Sequence, residues 1–211
     1  MISVKTFHLG IMSTNTYLIT DKATGFCALV YPACKDDSLT SELLKAGKEK
    51  LKYILLTHGH FDHIGGVAEY ARMFSSQIVI SSEEEPFLHD NNLNLSCLLG
   101  ASQLSPVNAH VTLNEGDTLM LGETEIKFLL TPGHTQGSGC FVIPEDKVIF
   151  SGDTLFFRSM GRVDFPTGDP QQMMLSLLKL RDIQGDYTVY PGHDRPTTLQ
   201  DERWFNPYFI S

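Results

Sequence analysis

Three histidines and an aspartate fall within the short stretch Thr57-His58-Gly59-His60-Phe61-Asp62-His63. Given the composition of the chain, such a pattern arises by chance in roughly one chain per thousand of this length. Imidazole nitrogens and carboxylate oxygens are ligands for divalent metal ions. The stretch follows the apolar run Tyr53-Ile54-Leu55-Leu56, so the ligands are expected at the end of a β-strand. Three more candidates stand in similar surroundings. His134 follows Leu130-Thr131-Pro132-Gly133, His193 follows Val189-Tyr190-Pro191-Gly192, and Asp153 follows Val148-Ile149-Phe150-Ser151-Gly152. In each case an apolar strand runs into a turn whose glycine lets the backbone approach a crowded site.

Five histidines and two aspartates are too many for one four-coordinate ion. Shared between two ions, with Asp153 bridging, they give each ion four protein contacts. Two divalent ions then leave the site positive after Asp62, Asp153 and a bridging hydroxide are counted. That charge attracts an anionic substrate, and the hydroxide is a nucleophile available at neutral pH. His8, His89 and His110 lack the strand-and-glycine setting and are expected to be surface or packing residues.

The elements that must position these groups are legible as short runs of β-branched and aromatic residues. They lie at 4–9, 16–20, 27–31, 53–56, 78–80, 118–121, 125–130, 140–143, 148–150 and 188–190. Gly, Asp and Asn separate them. Helical patterns lie at 37–46, 65–74, 82–89 and 170–181, the last opening with Asp169-Pro170, a capping acid before a first-turn proline. The alternation predicts an α/β fold of two sheets with helices outside them. Residues 87–110 have no clean period.

The chain has 211 residues and 42% apolar content, enough for the core of one domain. No stretch is long and apolar enough to span a membrane. Its N-terminus lacks the basic patch and apolar run of a signal peptide, so the cytoplasm is the expected location. Cys27, Cys34, Cys97 and Cys140 have no C-x-x-C spacing and read as free thiols. A net charge of −9 argues against nucleic acid as a partner. The oligomeric state is open: the aromatic C-terminus, with Trp204-Phe205 and Tyr208-Phe209, fits the cover of a core better than a partner surface.

The motifs Thr57 to Gly66, Pro132-Gly133-His134-Thr135-Gln136-Gly137-Ser138, Ser151-Gly152-Asp153-Thr154-Leu155-Phe156 and Pro191-Gly192-His193-Asp194 resemble those of the metallo-β-lactamase superfamily, in its order. More closely, Asn15-Thr16-Tyr17-Leu18, Gly161 to Asp169, and Glu202 to Tyr208 resemble the short, single-domain glyoxalase-II-like hydroxyacylglutathione hydrolases. The resemblance implies a four-layer αββα sandwich with the metals at one edge. It implies that His58, His60 and His134 hold one metal, Asp62, His63 and His193 the other, and that Asp153 bridges. Zinc is the expected metal, with iron and manganese as alternatives. The implied reaction is hydroxide attack on the carbonyl of a small anionic thioester, with Asp62 orienting the nucleophile and taking a proton afterwards.

Two departures carry expectations. Two-domain members add a C-terminal helical domain that supplies basic residues to glutathione, and with the sequence running to Ser211, soon after the last ligand, no such domain is expected here. Arg158, Arg162 and Arg195, near the ligand turns, are the candidates to substitute for it. Arg162 has a competing role in an internal ion pair with Asp164 or Asp169. Second, the family's Val-Asp-Pro-Gly reads Val30-Tyr31-Pro32-Ala33 here, so Tyr31 replaces a carboxylate behind the ligands. Altered metal binding or substrate preference is expected, against simple packing. The alternative activities are a mononuclear iron persulfide dioxygenase using the positions of His58, His134 and Asp153, or hydrolysis of a lactone, lactam or phosphoester. A non-enzymatic binding protein is the remote alternative.

Overall fold

The computed structural model describes residues 1–99 and 104–210. The first half builds a six-stranded sheet from β1 (Ile2–Leu9), β2 (Thr14–Asp21), β3 (Cys27–Val30), β4 (Leu51–Leu55), β5 (Gln77–Ser81) and β6 (Val111–Leu113), in sequence order. The pairs β1–β2 and β2–β3 are antiparallel; β3–β4, β4–β5 and β5–β6 are parallel. The second half builds another from β7 (Thr118–Leu121), β8 (Thr124–Leu130), β9 (Gly139–Ile143), β10 (Val148–Gly152), β13 (Thr188–Pro191) and β14 (Thr197–Thr198), ordered β14-β13-β10-β9-β8-β7. Its one parallel pairing is β10 with β13, and β11 (Leu155–Phe156) and β12 (Ser159–Met160) form a separate two-stranded ribbon.

Strand alternation sorts the side chains into layers. Ala28, Val30 and Leu55 of the first sheet meet Phe128, Phe141 and Phe150 of the second in a core between the sheets. Leu29 and Ile54 point the other way, against α1 (Asp37–Ala46) and α3 (Val67–Phe74), which contribute Leu39, Leu43, Val67, Tyr70 and Phe74. On the outer face of the second sheet, Cys140, Val142 and Val189 pack on α4 (Pro170–Arg181), α5 (Leu199–Phe205) and α6 (Pro207–Ile210). The result is the four-layer αββα arrangement with two mixed sheets.

Local chemistry explains the boundaries. Asp36 caps α1 by accepting from the Leu39 amide, and Asp169 caps α4 by accepting from Gln171 and Gln172, with Pro170 at the first position. The helix expected at 82–89 is instead a 3-10 segment, Ser82–Leu88, with Pro86 inside it. Proline removes the donor an α-helix needs there. The ambiguous stretch contains the 3-10 turn Ser96–Leu99. Phe209 is buried, whereas Trp204 and Phe205 are exposed, so only part of the aromatic C-terminus covers a core. Among the described residues no helix is long and apolar enough to cross a membrane.

Candidate metal centre

Four strands of the two sheets end at one edge, and each leads into a candidate ligand. After β4, Thr57 to His60 run into α2 (Phe61–Ile64), a single turn that carries Asp62 and His63. His134 follows β8, Asp153 follows β10, and His193 follows β13. The close packing fixes some residue types. Gly152 has φ 53°, and a Cβ there would collide with Thr57. A Cβ on Gly192 would collide with the Asp153 carboxylate and the His63 ring, so the residue before His193 must be small.

The structure brings all seven candidates together. His58, His60 and His134 present ligand atoms to one another, as do Asp62, His63 and His193, and Asp153 joins His58 and His63 between them. His134 Nε2 lies 2.9 Å from His60 Nδ1, and His63 Nε2 lies 3.4 Å from His193 Nε2. Imidazole lone pairs this close repel unless a proton or a cation lies between them. Asp153 Oδ1 is 3.4 Å from His63 Nε2, and its Oδ2 is 3.6 Å from His134 Nε2 and 3.7 Å from His193 Nε2. His58 Nε2 and Asp153 Oδ1 are buried with no hydrogen-bond partner in the protein. Buried polar atoms are rarely left so, and a pair of divalent ions is a partner that fits these donors.

Electrostatics points the same way. Burial and the neighbouring histidines hold His58 well below the usual histidine range, and burial with His134 and His63 pushes His60 down to about 2. Burial also lowers His63 against the pull of Asp62 and Asp153. These imidazoles are therefore neutral, the form that binds metal. Asp62 is largely shielded from solvent, which favours its neutral form. Its closeness to His63 and the His193 hydrogen bond outweigh that and hold it ionised far into acid. For His193, burial opposes protonation, but the hydrogen bond to Asp62 and the Asp153 charge raise it to about 9.

Outer contacts orient the ligands. His134 Nδ1 donates to the Arg162 carbonyl at 2.7 Å, which leaves Nε2 as the lone-pair nitrogen, and the Thr14 hydroxyl donates to Asp62 Oδ2 at 3.1 Å. Asn15 holds the His193 turn by donating from Nδ2 to the Pro191 and Asp194 carbonyls at 3.1 and 2.7 Å, and the Tyr17 hydroxyl also donates to Pro191. This gives the Asn15-Thr16-Tyr17 segment a physical role. Tyr31 does stand behind the ligands: its ring meets His63 edge-on at 5.1 Å, and its hydroxyl accepts from the Gly152 amide at 2.7 Å.

Glu84 escapes a reading of the sequence. In the run Glu83-Glu84-Glu85 it looks like one of three surface acids, yet it is fully buried. Its two oxygens accept from the Gly59 amide and the Gly137 amide, both at 2.9 Å. One carboxylate thus ties the turn carrying His58 and His60 to the turn carrying His134. Burial raises its pKa to about 7 against these hydrogen bonds.

The basic candidates are less available. Arg162 makes a two-pronged ion pair with Asp164, at 2.7 and 2.8 Å, and its guanidinium lies 3.9 Å over the Phe165 ring. Arg158 stacks on Phe157 and Phe205, and Arg195 stacks on Phe157. Arg195 lines a side cleft that shares His193 and Met12 with the main one. His8, His89 and His110 are not among the clustered ligand atoms. His89 pairs with Glu85, and His110 accepts from the Ile78 amide through Nδ1. His8 is exposed on β1.

A family model described as metallo-beta-lactamase superfamily matches residues 9–193. A hydroxyacylglutathione hydrolase of Haemophilus influenzae, GloC, is 32% identical over 200 residues, covering 88% of this chain and 92% of its own. Among solved structures, BLEG-1, described as a B3 metallo-β-lactamase, superposes with a TM-score of 0.90 at 30% identity, covering 99% of this chain and 100% of that one. TTHA1623, solved in a di-iron-bound form, gives a TM-score of 0.84 at 31% identity over 97% and 100%. With the αββα sandwich and the ligand cluster at its edge, these similarities establish that the chain belongs to the metallo-β-lactamase superfamily.

Proposed function

We propose that the protein is a metal-dependent hydrolase of small anionic thioesters of the S-acyl-glutathione type. The observation that carries this reading is the pair of ligand sets joined through Asp153 at the floor of an open cleft. The similarity to a hydroxyacylglutathione hydrolase supports the choice of thioester. His58, His60 and His134 would hold one ion, Asp62, His63 and His193 the other, with Asp153 shared. Zinc is the first choice, and iron and manganese suit the same nitrogen and oxygen donors. Two such ions supply a water that ionises near neutral pH and positive charge for the carbonyl oxygen as it becomes anionic.

The chain itself supplies orientation. Asp62, held ionised and fixed by Thr14, accepts a hydrogen bond from the attacking water and aims it at the thioester carbon. A carbon–oxygen bond forms, the carbon–sulfur bond breaks, and the water's proton passes by way of Asp62 to the departing thiolate. The products are a carboxylic acid and a thiol. A cytoplasmic setting goes with this chemistry, and all four cysteines are free thiols. The acidic balance of −9 favours a small-molecule substrate over nucleic acid.

The test is metal content per chain of protein purified without chelator, measured beside hydrolysis of S-lactoylglutathione. About two ions per chain with turnover is the expected result. One iron without turnover, and oxygen consumption on glutathione persulfide, would replace this reading with a dioxygenase.

A further inference from the structure

The ligand cluster forms the floor of a cleft of about 680 Å³, within the range of small-molecule sites. Its walls are apolar. Phe61, Leu95, Leu98, Phe156, Met160 and Phe165 line it. Leu95 is buried although its backbone is left-handed, with φ 63°. A leucine held in that conformation at a cleft wall marks a position where the surrounding structure dictates the side chain's aim. Asn94 holds the turn: its carbonyl accepts from the Phe61 amide at 2.8 Å, and its side chain donates to the Phe87 carbonyl at 2.8 Å. Above the floor, the one charged side chain lining the cleft among the described residues is Arg162, and Asp164 neutralises it.

Such walls offer little to a peptide-like thiol that carries carboxylates. They suit a hydrocarbon chain. The side cleft past Met12 and His193 is different, because it is polar: Thr6, His8, Ser13, Asn15, Asp194 and Arg195 line it. A thioester has two arms diverging from its carbonyl, and biological thiol carriers are the polar, anionic arm. Resting on the thioesterase reading, we infer that the apolar cleft takes the acyl arm, so that the preferred substrates are thioesters of unbranched apolar acyl groups of medium length rather than of short hydroxy acids. The polar thiol arm leaves over His193 towards Arg195. Nothing in the hydrolysis changes: water adds to the acyl carbon, and the products are the alkanoate and the free thiol.

The experiment is kcat/KM of the metal-loaded protein on S-acetyl-, S-butyryl-, S-hexanoyl-, S-octanoyl- and S-lactoylglutathione, with the same acyl groups on N-acetylcysteamine. The expected result is a rise of about two- to fourfold per added methylene in both series, the upper figure corresponding to about 0.8 kcal/mol per buried methylene. Leu98→Ser, at an exposed wall position, should flatten that slope, and octanoate should compete more strongly than acetate. Hydrolysis that is fastest on S-lactoylglutathione and level or falling with chain length would overturn the inference while leaving the thioesterase reading intact. No hydrolysis in either series would remove the thioesterase reading and this inference with it.

Discussion

Asp153 reaches towards both ligand sets, with Oδ1 beside His63 and Oδ2 beside His134 and His193. A carboxylate placed so can serve two ions at once, and its loss leaves the two sets without a shared anion. Asp153→Ala should therefore lower metal content at both sets and reduce turnover by orders of magnitude. Elemental analysis of the purified variant decides this, and two ions per chain in an active variant would remove the shared role. His110 is the matching control. Its Nδ1 accepts from the Ile78 amide and its own amide donates to the Ile78 carbonyl, which places it in the β5–β6 connection. His110→Ala should leave metal content unchanged and cost about 1 kcal/mol of stability through the lost hydrogen bond. A drop in bound metal would show that the ligand set is wrongly drawn.

The elements divide into those the sequence announces and those it conceals. Asp36 and Asp169, with Pro170, mark helix starts by local hydrogen bonding, so α1 and α4 are readable residue by residue. The ligand turns are readable because each pairs an apolar strand with a glycine and a His or Asp. Concealed are contacts between residues distant in sequence. Asn15 and Tyr17 serve the Pro191 turn from 176 and 174 residues away, and Glu84 serves Gly137 from 53 away. No local pattern reports such pairing, and two-residue strands such as β14 exist only because a neighbour accepts them. Glu84 belongs to this second kind and tests its importance. Glu84→Gln turns one of its two acceptor oxygens into a donor facing a backbone amide, so one turn is released. Affinity for an ion at the proposed His58, His60 and His134 set should fall about ten- to a hundredfold, measured by competition with a chromogenic chelator. Unchanged affinity would reduce Glu84 to a packing residue. The acid also leaves a pH signature. Its pKa rises from 4.5 to about 7 on folding, so between those values the unfolded chain has released a proton that the folded chain keeps. Its contribution is complete below about pH 4.5 and lost as pH rises through about 7, on the order of 3 kcal/mol in all. Denaturant titrations of the metal-free protein and of Glu84→Gln across pH 4 to 8 should differ by that slope, and parallel profiles would contradict it.

At the scale of the molecule, the ligand cluster is a seam. His58, His60, Asp62 and His63 extend from the first sheet, whereas His134, Asp153 and His193 extend from the second. Between the sheets lies a tight apolar core of Val30, Tyr31, Leu55, Phe141 and Phe150. At the metal edge that core gives way to imidazoles and carboxylates, and buried atoms of His58, His60, His63 and Asp153 are unpartnered there. Metal ions bound there would be contacts made in the folded state and absent from the unfolded one, joining the two sheets where apolar packing stops. An ion present at a hundred times its dissociation constant contributes about 2.7 kcal/mol. For a chain of this length each kcal/mol is worth about 2–4 °C in melting temperature. Removing the metals with a chelator should then lower the melting temperature by at least about 5 °C, and the loss should reverse on adding back zinc or manganese after the chelator is dialysed away. Gly192→Ala gives the same comparison from the protein side, since a Cβ there intrudes on Asp153 and His63: its melting temperature should be less responsive to added metal than the wild type's. Equal melting temperatures for the metal-free and metal-loaded protein would mean that the two sheets hold this edge closed by packing alone, and that the ligand cluster is preformed rather than fastened by what it binds.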